Sequence, residues 1–144
     1  MFSTVARVGG TIFHQRGNHD SAADVSALMA QRLRDGRAVA IFPEGGIVPG
    51  APIRVFHARM FRPAVETGCP VQPVMVRYMR DGSIDNDVAF RVGENMLINL
   101  CRQLARPKSV AQVHFLPVIS AANQPRRALA EGARAAVIKS YEDL

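Results

Sequence analysis

The sequence predicts an α/β domain built on a mixed, mainly parallel sheet flanked by helices. Three observations carry that expectation. Helix-like segments alternate with short strand-like runs, the pattern of a sheet layered with helices. Residues 38–42, ending in Ile41 and Phe42, form a continuous apolar run of the kind buried on both faces of a parallel sheet. The composition, 48% hydrophobic and 21% charged over 144 residues, suits one domain with a single core. It excludes wholesale disorder, a collagen-like repeat and a long coiled coil. The longest purely apolar stretches, at residues 38–43 and 135–138, fall far short of the roughly 20 residues needed to cross a bilayer.

Taken in order, residues 4–13 set Val5, Val8, Ile12 and Phe13 around Gly9 and Gly10, and read as an extended segment with a bend. Residues 21–34 read as a helix: Ser21 can cap it, Asp24 stands three residues on, and Val25, Leu28, Met29 and Leu33 share one face. Asp35 and Gly36 stop it. After the apolar run, residues 43–52 are rich in Gly and Pro and must be loop. In residues 55–67, Phe56, Met60, Phe61 and Ala64 recur at helical spacing, with Pro63 forcing a kink or a restart and Gly68 ending the helix. Residues 71–79 form a β-rich run closed by a turn at Arg80, Asp81 and Gly82. Residues 88–92 suggest a short strand, 95–105 a helix, 110–116 a strand with alternating faces, and 125–141 a final helix.

Eighteen Lys and Arg against 12 Asp and Glu give a net charge of +6, which points to an anionic partner. Nearly all of that charge is Arg, whose planar fork suits phosphate or carboxylate, although codon bias explains an Arg-rich composition equally well. Cys69 and Cys101 lie far apart, with no Cys-x-x-Cys spacing, and read as reduced, partly buried thiols of an intracellular protein.

The segment richest in chemistry is Ile41-Phe42-Pro43-Glu44-Gly45-Gly46. It carries a carboxylate out of the end of an apolar strand, where open α/β sheets bind ligands, and its glycines let backbone amides approach a ligand closely. By itself it is equally an ordinary strand-to-loop turn with a surface glutamate. One helix upstream stands a Gly10-x-x-Phe13-x-x-Arg16 pattern, and one helix downstream Gln72-Pro73-Val74 begins a β run.

Together, in this order, these segments resemble three of the four sequence blocks of the glycerolipid (1-acyl-sn-glycerol-3-phosphate, or lysophospholipid) acyltransferases. Gly10, Phe13 and Arg16 match the second block, Phe42, Pro43, Glu44 and Gly45 the third, and Pro73 and Val74 approximate the fourth. The resemblance covers most of the chain. It implies acyl transfer from a thioester, acyl-CoA or acyl carrier protein (acyl-ACP), to the hydroxyl of a lysophospholipid, with no further cofactor. Arg16 and the loop of Phe42, Pro43, Glu44, Gly45 and Gly46 would hold the acceptor's polar head, and the strand at Val74 would help form the donor site. Gly46 departs from the family's usual Thr, and no Arg follows it directly. Arg54 and Arg59 are candidates to supply that charge, against a plainer reading as solvated helix-face residues.

The first block, an Asn-His-x-x-x-x-Asp pattern, supplies the family's general base and its orienting carboxylate. None precedes Arg16 here. The resemblance therefore implies a partial domain over residues 1–144, lacking its N-terminal part through a truncated gene or a misplaced start, and inactive alone. Asn18-His19 and Asp24 do fit the pattern letter for letter, but they follow Arg16 instead of preceding it. His19 as a loop residue and Asp24 as a capping residue stand against His19 and Asp24 as the catalytic pair. A non-catalytic module binding a lipid head group or an acyl carrier is the alternative function. No spacing of His14, His19, Asp20 and Asp24 matches a metal site. His57 and His114 read as surface or core histidines. With no Trp, 6% aromatic residues and dispersed Arg, nucleic acid is not an expected partner. A lipid acceptor and a positive surface place the expected protein in the cytoplasm, peripheral on an anionic inner-membrane surface.

Overall fold

The computed structural model describes residues 11–12, 19–46, 53–106 and 108–143, with side chains in the first helix described from Ala23 onward. Thr11 and Ile12 have no regular structure, and the rest of the strand expected over residues 4–13 lies outside the described residues. Helix α1 (His19–Arg34) begins two residues before Ser21 and closes on Gly36, whose φ of 73° suits only glycine comfortably. Gly36 N–H bonds the Leu33 carbonyl and Arg37 N–H the Arg32 carbonyl, the paired bonds of a Schellman cap. Arg32 and Arg34 in the last turn oppose the helix dipole.

Residues 55–67 resolve into a 3-10 turn (Ala58–Phe61) followed by α2 (Arg62–Thr67). Pro63 falls in the first turn of α2, where its missing N–H leaves no helical bond unmade, so the proline restarts the helix. Gly68, at φ 70°, ends it. Then β1 (Val74–Arg80) turns directly into β2 (Ser83–Ile84). Asp81 and Gly82 have φ of 49° and 81°, the two left-handed residues of a type I′ hairpin, so the turn signal at Arg80-Asp81-Gly82 is met. A short 3-10 turn (Asn86–Val88) follows, then α3 (Met96–Leu104), β3 (Val110–Phe115) and α4 (Arg126–Glu142). The strand expected at residues 88–92 does not form.

The sheet corrects the sequence expectation. Among the described residues it has three strands in the order β2-β1-β3, and both pairings are antiparallel, not mainly parallel. β1 and β3 register from Val74 opposite Phe115 to Met79 opposite Val110, and the Val71 and Ile119 backbones extend the contact by exchanging hydrogen bonds of 2.9 and 2.8 Å. The physical reason lies in the connections. A two-residue turn can join only antiparallel strands, and α3, which buries none of its residues, does not cover the sheet as a crossover helix must. Residues 38–42, expected as a strand buried on both faces, form no strand and have no regular structure. Ile41 packs toward the core, whereas Phe42 is 86% exposed.

The core sits between α4 and the 3-10 turn. Leu129, Ala130 and Ala133 of α4 close on Phe61 and Ala121, and Ile41, Phe56, Met60, Ala64, Val71 and Ile119 pack around them. Phe56 and Phe61 stack with centroids 6.4 Å apart. α1 packs against α2 through buried Met29 and Ala30 on its inner side.

Candidate functional site

The glycine-rich segment after Ile41 folds into a turn held from one side. Gly45 N–H reaches the Phe42 carbonyl at 3.4 Å, and Gly45 adopts φ 71° to close the turn. Residues 53–57 form an extended strap alongside. His57 N–H donates to the Pro43 carbonyl at 2.9 Å, and Arg54 N–H donates to Glu44 Oε2 at 3.2 Å. The Glu44 carboxylate is thus engaged in ordering the loop.

Gly45 is a site of close approach, and Gly46 is not. A Cβ on Gly45 would stand 2.8 Å from His57 Nε2, closer than real Cβ atoms come, and one on Gly46 would meet Arg54 Nη1 at 3.5 Å. The turn therefore presents Gly45 and Gly46 beside one imidazole and one guanidinium. Backbone amides with an adjacent guanidinium suit a phosphate or carboxylate.

The strap is fixed from behind by the last helix. Arg134 of α4 donates through Nε to the Arg54 carbonyl at 2.9 Å and through Nη2 to the Ile53 carbonyl at 2.7 Å. A shallow cavity of about 460 Å³ opens nearby, lined by Val55, Arg134, Ala135, Ile138 and Lys139 among others. It includes none of residues 42–46, so the loop and not that cavity is the candidate site.

Phe42, Pro43, Glu44, Gly45 and Gly46 follow one another through this turn, with Phe42 exposed. Arg16 and His14 lie outside the described residues, as does the part of the loop at residues 47–52. Arg54 stands beside Gly46, on the extended strap and not on a helix face. His19 opens α1 and Asp24 is exposed within it. His57 and Arg134 were missed by sequence reasoning. His57 carried the weak signal of following the loop closely, whereas Arg134 bonds a residue 80 positions away and carried none. Among the described residues no group of His, Cys, Asp and Glu is arranged to hold a metal ion, and no helix is long and apolar enough to cross a membrane.

Comparison with known proteins adds to this geometry. The model of the acyltransferase family matches residues 1–77. A lyso-ornithine lipid O-acyltransferase of Pseudomonas aeruginosa is 35% identical over 133 residues, covering 92% of this chain and 51% of that protein. Another from Rhodobacter capsulatus is 30% identical over 145 residues, covering 92% of this chain and 50% of the relative. A 1-acyl-sn-glycerol-3-phosphate acyltransferase of Borreliella burgdorferi is 31% identical over 93 residues, 65% of this chain and 37% of its own length. The chain thus spans about half the length, or less, of these relatives. No solved structure matches it.

Proposed function

Since the chain belongs to the acyltransferase family, we propose that it forms the acceptor-binding part of an enzyme that moves an acyl group from a thioester to a lysolipid hydroxyl. The acceptor read best is lyso-ornithine lipid, after the two relatives that cover 92% of the chain, with lysophosphatidate as the comparison. The donor is acyl-CoA or acyl-ACP. In the reaction the acceptor oxygen attacks the thioester carbonyl, the carbon–sulfur bond breaks, an ester forms, and the hydroxyl proton passes through a base to the leaving thiolate.

The observation that carries the reading is the turn at Gly45 and Gly46 set beside Arg54. Arg54 pairs with the acceptor's carboxylate or phosphate, the Gly46 amide completes the cradle, and Arg16 adds a second guanidinium. Glu44 holds the strap in register through the Arg54 N–H. The acceptor is a lipid and the chain carries +6, so residues 1–144 work at an anionic membrane surface. The Asn18-His19 and Asp24 match follows Arg16 instead of preceding it as the family's block does, so on this reading residues 1–144 alone bind acceptor without turning it over.

The test is titration of short-chain lyso-ornithine lipid or lysophosphatidate while following the Gly45 and Gly46 amide resonances. Saturable shifts are expected, with Arg54→Ala weakening binding roughly ten- to a hundredfold, as losing a charge-assisted hydrogen bond should. Unchanged affinity in Arg54→Ala would overturn the assignment. Acyl-CoA turnover by the same protein, abolished by His19→Ala, would make that pair catalytic after all.

A further inference from the structure

Helix α3 is mounted the opposite way from an ordinary surface helix. Its polar residues face the protein and its apolar ones face outward. Arg102 donates through Nε and Nη2 to the two oxygens of Glu94, each at 2.7 Å, and also reaches the Asp87 and Ala89 carbonyls. Asn99 donates to Glu94 Oε2, and Gln103 to the Asp87 carbonyl at 3.1 Å. Just past the helix, Arg106 binds Asp85 at 2.9 Å. On the other side Met96, Leu97, Leu100 and Leu104 are 39–76% exposed, joined by exposed Phe90 and Val92 from the preceding loop.

A helix that spends its charged side chains on anchorage and leaves its leucines outside is built to put them into something apolar. Nine residues of helix are about 13 Å long and 10 Å wide, a footprint well under the roughly 800 Å² per partner of a stable protein interface. A lipid surface requires no matched partner face. The local charge also fits an anionic lipid: Asp85, Asp87 and Glu94 are each paired with arginine, and among the described residues exposed Lys108, beside the helix, forms no ion pair with these acids. We propose that the outward face of α3, with Phe90 and Val92, docks into the interfacial layer of an anionic membrane and so brings the loop at Gly45 and Gly46 to its lipid acceptor. This rests on the acyltransferase reading above for its purpose, though not for its geometry.

The experiment is flotation with mixed phosphatidylglycerol and phosphatidylcholine vesicles, comparing the wild-type chain with a Leu97→Ser, Leu104→Ser double variant whose helical content is checked by circular dichroism. Binding is expected for the wild type, with a loss of at least about tenfold per leucine removed from an apolar phase. Exposed Cys101 on α3 provides a second readout. In a Cys69→Ser background, an environment-sensitive fluorophore at Cys101 should shift to the blue on adding the same vesicles. Equal flotation of both proteins, or an unmoved Cys101 probe, would overturn the proposal. So would a dimer in sedimentation velocity that the double variant dissolves while vesicle binding persists, since a second copy would then own the face. Short-chain lysolipid titration at Gly45 and Gly46, run in parallel, separates the two ideas: a loop response without flotation sinks only the docking surface, and flotation without a loop response sinks only the functional reading.

Discussion

Gly45 and Gly46 are neighbours with the same side chain and opposite constraints. At Gly45 a left-handed backbone and a Cβ position 2.8 Å from His57 Nε2 act together, so an alanine must distort the turn and displace the imidazole. The left-handed conformation alone costs about 1–2 kcal/mol for a residue with a Cβ. At Gly46 an added Cβ meets only the Arg54 guanidinium at an ordinary 3.5 Å. Gly45→Ala should therefore weaken lysolipid binding roughly five- to thirtyfold, while Gly46→Ala leaves it within about twofold by the same arithmetic. Isothermal titration of both variants checks this, and equal losses would show that the turn is not held as described. The loop's composition was legible in the sequence because its residues are consecutive. Its two outside supports were not: His57 reaches the loop by a backbone bond to Pro43, and Arg134 by bonds to carbonyls, and neither kind of contact leaves a pattern in residue spacing.

Among the elements, α3 and the loop before it depend on charge more than on apolar burial. The hydrogen bonds from Arg102, seconded by Arg91 N–H, hold the Glu94 carboxyl down from 4.5 to about 2, and the Arg106 bond lowers Asp85. A depressed carboxylate stabilises the folded state in full above its unfolded value and loses that contribution as pH falls through the folded one. Acidification from about pH 5 to 2 should therefore lower the wild-type melting temperature, with a smaller slope in Glu94→Gln, which forgoes the ion pair at all pH values. A residual slope remains from Asp85. Parallel curves for the two proteins would show that Glu94 does not couple to folding. The helix itself was expected over residues 95–105, and the structure adds its Asn95 cap, whose side chain accepts from Ile98 N–H at 2.9 Å. Its orientation was not, because an amphipathic pattern says which residues share a face without saying which face meets the protein. The sheet failed for a related reason: alternating helices and strands imply crossovers only where a helix covers the sheet, and the Asp81-Gly82 hairpin had already fixed β1 and β2 as antiparallel.

At the scale of the molecule, α4 serves two ends with two faces. Leu129, Ala130, Ala133 and Val137 bury into the core, while Arg134, adjacent to Ala133, turns toward the strap that carries Arg54 and His57. The same helix thus bears both the stability of the fold and the placement of the site, and the two should separate by mutation. Leu129 is fully buried, so Leu129→Ala should cost about 2–5 kcal/mol in urea unfolding by leaving a cavity. Binding by the fraction still folded should not change. Arg134→Gln removes two hydrogen bonds at a partly exposed position, so its cost in unfolding should stay near 1–1.5 kcal/mol. Lysolipid affinity should fall nonetheless, because Ile53 and Arg54 lose the fork that sets the guanidinium beside Gly46. Arg134→Lys, which keeps the charge but lacks the fork, should recover little of that affinity. Affinity that follows stability across all three variants would mean that Arg134 acts only through the fold.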